Sequence, residues 1–192
     1  KKLNEKDLKD LKFQIKKKKI DGINVTVPFK KTVIPYLDEL THEAKSTQSV
    51  NTIYLNNKKV MGHNTDISGF ETSIQESKLN LQNKKVFILG AGGVVPSIIF
   101  ALNKMKISKI IISNRTKKKA DNLKDLFINL SVVDWGDIPD FDLIINATSI
   151  GLKKKDRMNL DFSVIGKNKM FYDVIYNPKE TNFLKVGKDL GN

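Results

Sequence analysis

The composition of this chain excludes several classes of protein. Its 192 residues contain no cysteine, which rules out disulfides and thiolate metal sites and fits a cytoplasmic location. The net charge of +13 suggests a polyanionic partner, but the excess is lysine in short runs at 16–19, 117–119 and 153–155, without interleaved aromatic residues. We therefore expect solvated surfaces, with no specific nucleic acid and no membrane partner; salt-sensitive, sequence-blind polyanion binding is the alternative.

The first third of the chain predicts a small domain of mixed helices and strands. Leucines at helical spacing predict a helix within residues 1–20 that ends at Asp21-Gly22, and Asn56-Asn57 predicts the turn of a hairpin. The further predicted elements are a strand over 23–27 ended by Pro28, helical segments over 32–40 and 41–48, hairpin strands over 51–55 and 58–61, and a helix over 67–79. This last helix is expected to bridge two domains.

From Lys84 onward, strands and helices alternate, which predicts a parallel sheet with helices on both faces. The predicted strands are 85–89, 109–113, 131–134, 142–146 and 170–175, and the predicted helices are 97–106, 117–129 and one from Thr181. Ligands of such sheets bind at the carboxyl ends of the strands. Polar residues cluster at these predicted ends, at Asn114, in the segment 146–149 and at Tyr176.

A glycine-rich turn follows the first of these strands. Gly90-Ala91-Gly92-Gly93 comes directly after an apolar strand, and Pro96 lies where the start of a helix tolerates a missing donor. Glycines at this point let the backbone approach a pyrophosphate, which the helix N-terminus would face. The fingerprint is imperfect, because Val95 stands where Gly or Ala is usual. Taken alone, the turn is a weak indication of a dinucleotide site.

The end of the second strand strengthens that indication. NAD-binding units place a carboxylate about 20 residues after the glycines to bind the ribose hydroxyls. Here the corresponding positions hold Asn114 and Arg115, with Lys117, Lys118 and Lys119 close behind. A planar guanidinium suits a 2′-phosphate, so the pattern favours NADP over NAD. The alternative is an ordinary buried turn followed by a solvated basic helix start.

Two residues are the better candidates for moving a proton. Lys30 and Asp66 each follow a short strand, whereas the two histidines, His42 and His63, are isolated. A lysine held against a carboxylate keeps its ammonium oriented for proton transfer. Nearby polar residues that a carbohydrate-like ligand could use are Asn24, Thr26, Asn51, Asn64 and Thr65. On pattern alone, a solvated lysine and a helix-capping aspartate would be favoured.

Several motifs together resemble the shikimate dehydrogenase family in order and approximate spacing. They are Gly22-Ile23-Asn24-Val25-Thr26-Val27-Pro28-Phe29-Lys30, Val50-Asn51-Thr52, Asn64-Thr65-Asp66, Gly90-Ala91-Gly92-Gly93, Asn114-Arg115-Thr116, Asn146-Ala147-Thr148-Ser149-Ile150-Gly151 and Asp173-Val174-Ile175-Tyr176-Asn177-Pro178. The resemblance implies an NADP-dependent oxidoreductase that interconverts 3-dehydroshikimate and shikimate in aromatic amino-acid biosynthesis. The expected fold class is α/β, with a Rossmann-like parallel-sheet domain and a second, smaller and here incomplete α/β substrate domain.

The resemblance also implies roles for individual residues. Lys30 would be the catalytic lysine and Asp66 its partner. The substrate would be contacted by Thr26, Asn51, Thr65 and Tyr176, with Asn24 added from its position beside them. The cofactor would be lined by Gly90, Ala91, Gly92, Gly93, Val94, Asn114, Arg115, Thr116, Lys119 and Thr148, with Val174 near the nicotinamide. No metal site is predicted.

The resemblance further predicts how the chain is divided. The expected parts are a partial substrate-binding catalytic domain over 1–66, a linking helix over 67–83, an NADP-binding domain over 84–180, and over 181–192 the start of a helix that returns to the first domain. Family members carry a Ser-x-Ser motif before residue 1 and a glutamine after residue 192, so we expect a fragment or the ordered part of a longer protein. A monomer or homodimer is expected.

Two other functions remain open. One is a paralogue that oxidises quinate or another cyclic polyol, with NAD as a further option that Arg115 disfavours. The other is a non-catalytic NADP-binding protein, against which the presence of both Lys30 and Asp66 counts.

Overall fold

The computed structural model describes residues 5–153 and 155–192, so Lys154, in one of the lysine runs, lies outside the described residues. The chain divides into two compact units. The first comprises Lys1–Leu79 and Pro96–Ala101, and the second comprises Asn80–Val95 and Leu102–Asn192. No helix of the described part is both long and apolar enough to cross a membrane.

The first unit contains a four-stranded sheet flanked by short helices. Its elements are α1 (Glu5–Lys16), β1 (Gly22–Asn24), α2 (Phe29–Thr32), β2 (Glu39–Leu40), α3 (His42–Thr47), β3 (Thr52–Asn56), β4 (Lys59–His63) and α4 (Asp66–Glu76). The strand order is β1-β3-β4-β2. The pairs β1–β3 and β3–β4 are antiparallel, whereas β2 runs parallel to β4.

Helix α1 covers the core of this unit with one apolar face. Leu8, Leu11 and Ile15 recur at helical spacing and are at most 4% exposed. They belong to one buried cluster with residues from the sheet and the loops, namely Val33, Ala44, Val50, Ile53 and Val60. Burial of such side chains typically contributes about 1.5 to 3 kcal/mol each. The apolar residues that recur along α1 are therefore the ones that pack into this cluster.

Two predicted elements of the first unit differ in extent from the observed ones. The strand predicted over 23–27 ends at Asn24, because the N–H of Phe29 bonds to Thr26 O and the chain turns there. The helix predicted over 32–40 is instead a 3₁₀ turn at Ile34–Tyr36 followed by β2. Pro35 has no N–H to extend a helix, and β2 finds hydrogen bonds on β4.

The hairpin turn lies one residue later than predicted. Asn56 pairs with Lys59 at the end of the β3–β4 ladder, so the two turn residues are Asn57 and Lys58. Both have positive φ, 46° and 66°. Two consecutive positive φ values are typical of the primed turns that match the twist of antiparallel strands.

The second unit is built on a five-stranded parallel sheet, which confirms the predicted alternation. Its strands are β5 (Lys85–Leu89), β6 (Lys109–Ser113), β7 (Leu130–Val133), β8 (Leu143–Asn146) and β9 (Met170–Asp173), and its helices are α6 (Lys117–Asp121) and α7 (Asn182–Asp189). Helix α5 (Val95–Lys104) follows β5, and its residues Pro96–Ala101 are assigned to the first unit. The strand order is β7-β6-β5-β8-β9. Four consecutive residues of β5, β6 and β8 are buried, as expected for strands covered on both faces.

One predicted helix of this unit is much shorter than expected. The helix over 117–129 ends at Asp121, and the chain continues in turns up to Phe127. Asp121 and Asn122 stand at this point, and such residues favour turns over helix interiors. The final helix begins as predicted, with Thr181 as its cap, and packs on β9 through Phe171 and Gly187. Its predicted continuation to the first domain stays a prediction.

Candidate active site

A lysine and an aspartate from different elements form an ion pair in the first unit. Lys30 lies in α2, directly after the turn at 25–28, and Asp66 is the first residue of α4. The Lys30 Nζ lies 2.6 Å from Asp66 Oδ2, with side-chain exposures of 14% and 22%. The pair is thus largely screened from water yet reachable, a setting in which a lysine keeps a fixed orientation.

Asn51 occupies the other oxygen of the same carboxylate. Its Nδ2 donates to Asp66 Oδ1 at 2.8 Å and to Thr65 Oγ1 at 2.9 Å. Its Oδ1 accepts from the backbone N–H of Thr65 at 3.0 Å and from the hydroxyl of Thr52 at 3.0 Å. Each carboxylate oxygen therefore has its own donor, and the aspartate is held on both sides. Four polar side chains singled out from the sequence, Lys30, Asn51, Thr65 and Asp66, are brought together.

Asn64 has a structural role that the pattern did not indicate. It was expected to be available to a ligand, but it is 1% exposed. Its Nδ2 lies within hydrogen-bond distance of Thr47 Oγ1 (3.1 Å), Ser49 O (3.0 Å) and Ser97 Oγ (2.9 Å). Its Oδ1 accepts from the N–H of Asp66 at 3.0 Å. Asn64 thus anchors the start of α4 from inside the unit rather than facing a ligand.

Asn24 and Thr26 lie on backbone that borders this group. Asn24 is paired with Thr52 in the β1–β3 ladder, and the N–H of Val25 donates to Asn51 O at 2.7 Å. Both side chains are exposed. Tyr176 belongs to the second unit and is 89% exposed, so its predicted contact with substrate stays a prediction.

In the second unit, the glycine turn requires glycine at its first position. Gly90 has a φ of +110°, and a Cβ there would lie 2.8 Å from Ala147 O. Its N–H donates to Ser113 O at 2.8 Å, which ties the turn to the end of β6. A side chain at this position would be both strained and sterically blocked. The missing side chain makes room for the backbone of Ala147, so glycine at this position lets the turn pack against the end of β8.

Asn114 and Arg115 form the tip of β6, beside this turn. Asn114 Oδ1 accepts from the N–H of Ala91 at 3.1 Å, and its Nδ2 donates to Thr116 O at 2.8 Å. Asn114 thus joins the glycine turn to the basic segment. The exposed Arg115 guanidinium has no hydrogen-bond or ion-pair partner within the described part of the chain. A free, planar guanidinium beside a glycine turn fits a dinucleotide that carries a 2′-phosphate.

The lysines that follow are not equivalent. Lys117 Nζ lies 2.7 Å from Asp134 Oδ1, and the hydrogen bond to that carboxylate raises the pKa of Lys117. Lys119 is exposed. Lys117 is therefore engaged within the protein, and the role of Lys119 in cofactor binding stays a prediction.

The hydrogen bonds that Thr148 makes with the described residues are local. Its hydroxyl donates to Asn146 Oδ1 at 2.7 Å and accepts from the N–H of Ile150 at 3.0 Å. Val174 follows β9 directly, and its N–H donates to Asn146 O at 3.1 Å. Sequence reasoning included both residues in the cofactor set but did not single out Asn146, which bonds to both of them. Its place as the last residue of the strand predicted over 142–146 was the signal that could have found it.

Metal ligation has no candidate in the described ranges. Within residues 5–153 and 155–192, no group of three or more histidine, cysteine, aspartate or glutamate side chains could hold a metal ion.

Comparisons with family models and with known sequences both match this chain to shikimate dehydrogenases. The family model described as "Shikimate dehydrogenase substrate binding domain" matches residues 1–53, and the model described as "Shikimate / quinate 5-dehydrogenase" matches residues 73–178. The shikimate dehydrogenase (NADP(+)) of Pelagibacter ubique is 56% identical over 189 residues, which cover 98% of this chain and 71% of that protein. The chain thus spans less than three quarters of this relative.

Solved structures agree with the sequence comparisons. The crystal structure of shikimate dehydrogenase from Aquifex aeolicus superposes with a TM-score of 0.88 at 39% identity, covering 98% of this chain and 70% of that one. Quinate dehydrogenase from Corynebacterium glutamicum, solved with NAD, superposes with a TM-score of 0.87 at 31% identity, covering 96% and 70%.

The fold and the two groups of residues define a class of protein. A parallel sheet with a glycine turn and a basic tip, accompanied by a unit that holds a lysine–aspartate pair, is typical of an oxidoreductase that uses a nicotinamide dinucleotide. The chain belongs to the shikimate dehydrogenase family. The resemblance and the fold class inferred from the sequence motifs are confirmed.

Proposed function

We propose that this chain catalyses the NADP-dependent interconversion of 3-dehydroshikimate and shikimate, a step of aromatic amino-acid biosynthesis. The observation that carries the proposal is the group formed by Lys30, Asp66 and Asn51, in which a lysine ammonium is held 2.6 Å from a carboxylate that is itself fixed by an amide. It is supported by family membership and by the NADP(+)-dependent relative from Pelagibacter ubique.

Lys30 is proposed to manage the proton on the reacting oxygen. In the reductive direction its Nζ donates a proton to the carbonyl oxygen as negative charge develops there, and in the oxidative direction it accepts the hydroxyl proton. Asp66 orients the Nζ of Lys30 and balances its charge, and Asn51 holds the carboxylate of Asp66 in place. When bound, NADP supplies the nicotinamide that exchanges hydride with the substrate carbon.

The remaining predicted residues are proposed to bind. Substrate hydroxyls and ring would be contacted by Asn24, Thr26, Asn51, Thr65 and Tyr176. A site that hydrogen-bonds each hydroxyl discriminates strongly against analogues that lack one. NADP would be held by Gly90, Ala91, Gly92, Gly93, Val94, Asn114, Arg115, Thr116, Lys119, Thr148 and Val174, for which the glycine turn and the free guanidinium are the supporting observations.

The first test is turnover of shikimate with NADP, followed by the absorbance of NADPH. Lys30→Ala is expected to lower kcat by roughly 100-fold or more and to leave KM for shikimate within a few-fold, because proton transfer is lost while binding groups remain. Lys31→Ala is the matched control, since Lys31 follows in the same helix but is exposed. We expect it to retain the wild-type rate.

Other results would remove Lys30 from the chemistry. An unchanged kcat for Lys30→Ala would show that the proton moves through another group. An increase in KM with unchanged kcat would assign Lys30 to substrate binding alone.

Quinate is a second candidate substrate. The matching family model covers quinate dehydrogenases in its description, and the quinate dehydrogenase of Corynebacterium glutamicum is a neighbour in structure. Rates with shikimate and with quinate, each measured with NADP and with NAD, separate the two. Binding of NADPH without turnover of either polyol would favour a non-catalytic NADP-binding protein.

The location and assembly of the protein stay predictions. We propose a cytoplasmic protein that is a monomer or a homodimer. Cell fractionation tests the first, and light scattering on the purified protein tests the second.

A further inference from the structure

A buried amide closes the carboxyl end of β8. Asn146 is fully buried, and its Nδ2 donates to Ile150 O at 3.0 Å and to both oxygens of Asp173 at 3.1 Å. Its Oδ1 accepts from the N–H of Thr148 at 3.1 Å and from the Thr148 hydroxyl at 2.7 Å. One side chain therefore fixes the path of the segment 147–151 and binds it to the end of β9.

The carboxylate of Asp173 joins two further segments to this amide. Its Oδ1 accepts from the N–H of Ile175 at 2.9 Å, and its Oδ2 accepts from the hydroxyl of Thr181 at 2.6 Å. Thr181 is 1% exposed and caps α7, because its Oγ1 also accepts from the N–H of Leu184 at 3.3 Å. We call Asn146, Asp173 and Thr181 the strand-end network. Within this network, each oxygen of the Asp173 carboxylate accepts a hydrogen bond.

The network lies on one side of the glycine turn and Arg115 lies on the other. The strand order is β7-β6-β5-β8-β9, with the glycine turn after the central strand β5. Arg115 follows β6, whereas the segments 147–151 and 174–176 follow β8 and β9. Dinucleotides lie across the carboxyl ends of such sheets. With the 2′-phosphate at Arg115, the nicotinamide half falls on the β8 and β9 side.

The segment after β8 also touches the turn itself. A Cβ at Gly90 would lie 2.8 Å from Ala147 O, so the backbone at Ala147 sits against the glycine turn. The N–H of Ala147 donates to Leu89 O at 2.8 Å. A shift of the segment 147–151 would therefore change the position of the glycine turn, where the cofactor is proposed to bind.

We propose that Asn146, Asp173 and Thr181 are positioning residues for the nicotinamide half of the cofactor. They hold the segments 147–151 and 174–176 in place without touching the cofactor themselves. The inference rests on the proposed function in that it takes NADP as the ligand. Its physical basis is the cost of an unpaired buried group, because loss of one partner leaves buried donors without an acceptor.

The test compares two ligands of different reach. NADPH spans both sides of the glycine turn. Adenosine 2′,5′-bisphosphate, hereafter the fragment, carries only the adenosine and phosphate groups that lie on the Arg115 side. In Asp173→Asn, an amide replaces a carboxylate of the same size and places an N–H₂ group among donors. We expect the Kd of NADPH, measured by fluorescence titration, to rise about tenfold, as for one lost buried hydrogen bond, and that of the fragment to stay within about twofold.

Two variants of Thr181 separate the effect of its hydroxyl from the effect of its shape. Thr181→Ser keeps the hydroxyl that donates to Asp173 and is expected to bind NADPH as the wild type does. Thr181→Val keeps the shape, loses the hydroxyl and is expected to show the same selective loss as Asp173→Asn. If circular dichroism shows that Asp173→Asn does not fold, the Thr181 pair carries the test. Asp161→Asn is the control, because Asp161 likewise accepts from a hydroxyl and an N–H, those of Ser163, but in an exposed turn.

Three results would overturn the inference. An equal loss of affinity for NADPH and for the fragment would mean that the network only stabilises the fold. Unchanged NADPH affinity in both Asp173→Asn and Thr181→Val would mean that it positions nothing. A wild-type protein that binds NADPH no more tightly than the fragment would leave the nicotinamide half without a site. The proposed reaction fails differently, by absent turnover of shikimate while the selective loss of NADPH affinity is still observed.

Discussion

At the scale of single residues, Arg115 is the residue that we expect to decide which dinucleotide the protein prefers. Its guanidinium is exposed and has no protein partner in the described part of the chain. We expect Arg115→Ala to weaken NADP binding by roughly tenfold or more, as for the loss of a charge-assisted hydrogen bond, and to leave NAD within about twofold. Isothermal titration with both dinucleotides measures the difference.

The other arginine of the chain is a matched control for this prediction. Arg157→Ala removes the same charge from the same unit, at a side chain that donates to Asp156 O. It is expected to leave both affinities unchanged. Equal losses of NADP and NAD in Arg115→Ala would mean that the guanidinium does not meet the 2′-phosphate.

Single residues also show where sequence reasoning reaches its limit. Lys30 and Asp66 are 36 positions apart, and their pairing was implied only by the resemblance, because no local pattern specifies the 2.6 Å contact between them. Asn64 was grouped with ligand-facing residues because it is polar and stands beside Thr65. Its burial depends on acceptors at Thr47, Ser49 and Ser97, which no local pattern specifies.

At the scale of elements, helix α1 is fastened to the sheet by charge as well as by its apolar face. Lys12 Nζ lies 2.5 Å from Asp38 Oδ1, and Lys16 Nζ lies 3.0 Å from Asp38 Oδ2. The hydrogen bond from Lys12, followed by the one from the N–H of Val60, holds the pKa of Asp38 well below its ordinary value of 3.8. The carboxylate is 20% exposed, so these bonds are only partly screened.

This lowered pKa gives a pH dependence of stability with a definite sign. The stabilisation is complete above the ordinary pKa of 3.8 and is lost as the pH falls toward the lower pKa of the folded state. Asp38→Asn is therefore expected to lower the free energy of unfolding at neutral pH, with a difference from the wild type that shrinks below about pH 4. Urea titrations at several pH values, followed by circular dichroism, measure it.

An exposed ion pair serves as the control for Asp38. Glu39 pairs with Lys59, but both side chains are about half exposed, at 47% and 55%. Glu39→Gln is expected to change stability little at any pH, because exposed pairs contribute about 0 to 1 kcal/mol. Parallel pH profiles for the wild type and Asp38→Asn would contradict the assignment of the effect to Asp38.

Elements were predicted well wherever their own residues decide them. β5 and β6 match the predicted bounds because short apolar runs bounded by polar and turn residues suffice to specify buried strands. β2 was missed because its two residues are a strand only through pairing with β4. The helix from Lys117 was overestimated because local propensity could not show that turns take over after Asp121.

At the scale of the whole molecule, the division into two units separates two kinds of chemistry along the chain. The lysine–aspartate pair belongs to the first unit, and the glycine turn and strand-end network belong to the second. The family and the fold class could both be predicted from the sequence, because several motifs that occur together in this order and spacing are specific. The hydrogen bonds that link Asn146, Asp173 and Thr181 could not, because they join residues from three separate elements.

The strand order of the parallel sheet has a consequence for how the protein folds. The contact between Ser108 and Lys84, where β5 and β6 begin, closes 24 residues, and the one between Asn146 and Asp173, at the end of β8 and β9, closes 27. By contrast, Lys85 and Asp142, at the β5–β8 junction, are 57 positions apart. The longer closure costs about 0.8 kcal/mol more chain entropy than the first.

We therefore expect the sheet to form as two local halves that join last at the β5–β8 seam. In refolding followed by pulsed hydrogen exchange, the amide of Gly90, bonded to Ser113 O, should become protected several-fold faster than that of Ala147, bonded to Leu89 O. Protection of both amides in a single phase would show that the seam closes with the halves. Since the glycine turn and the segment after β8 meet at that seam, the nucleotide site would be completed only in the final folding step.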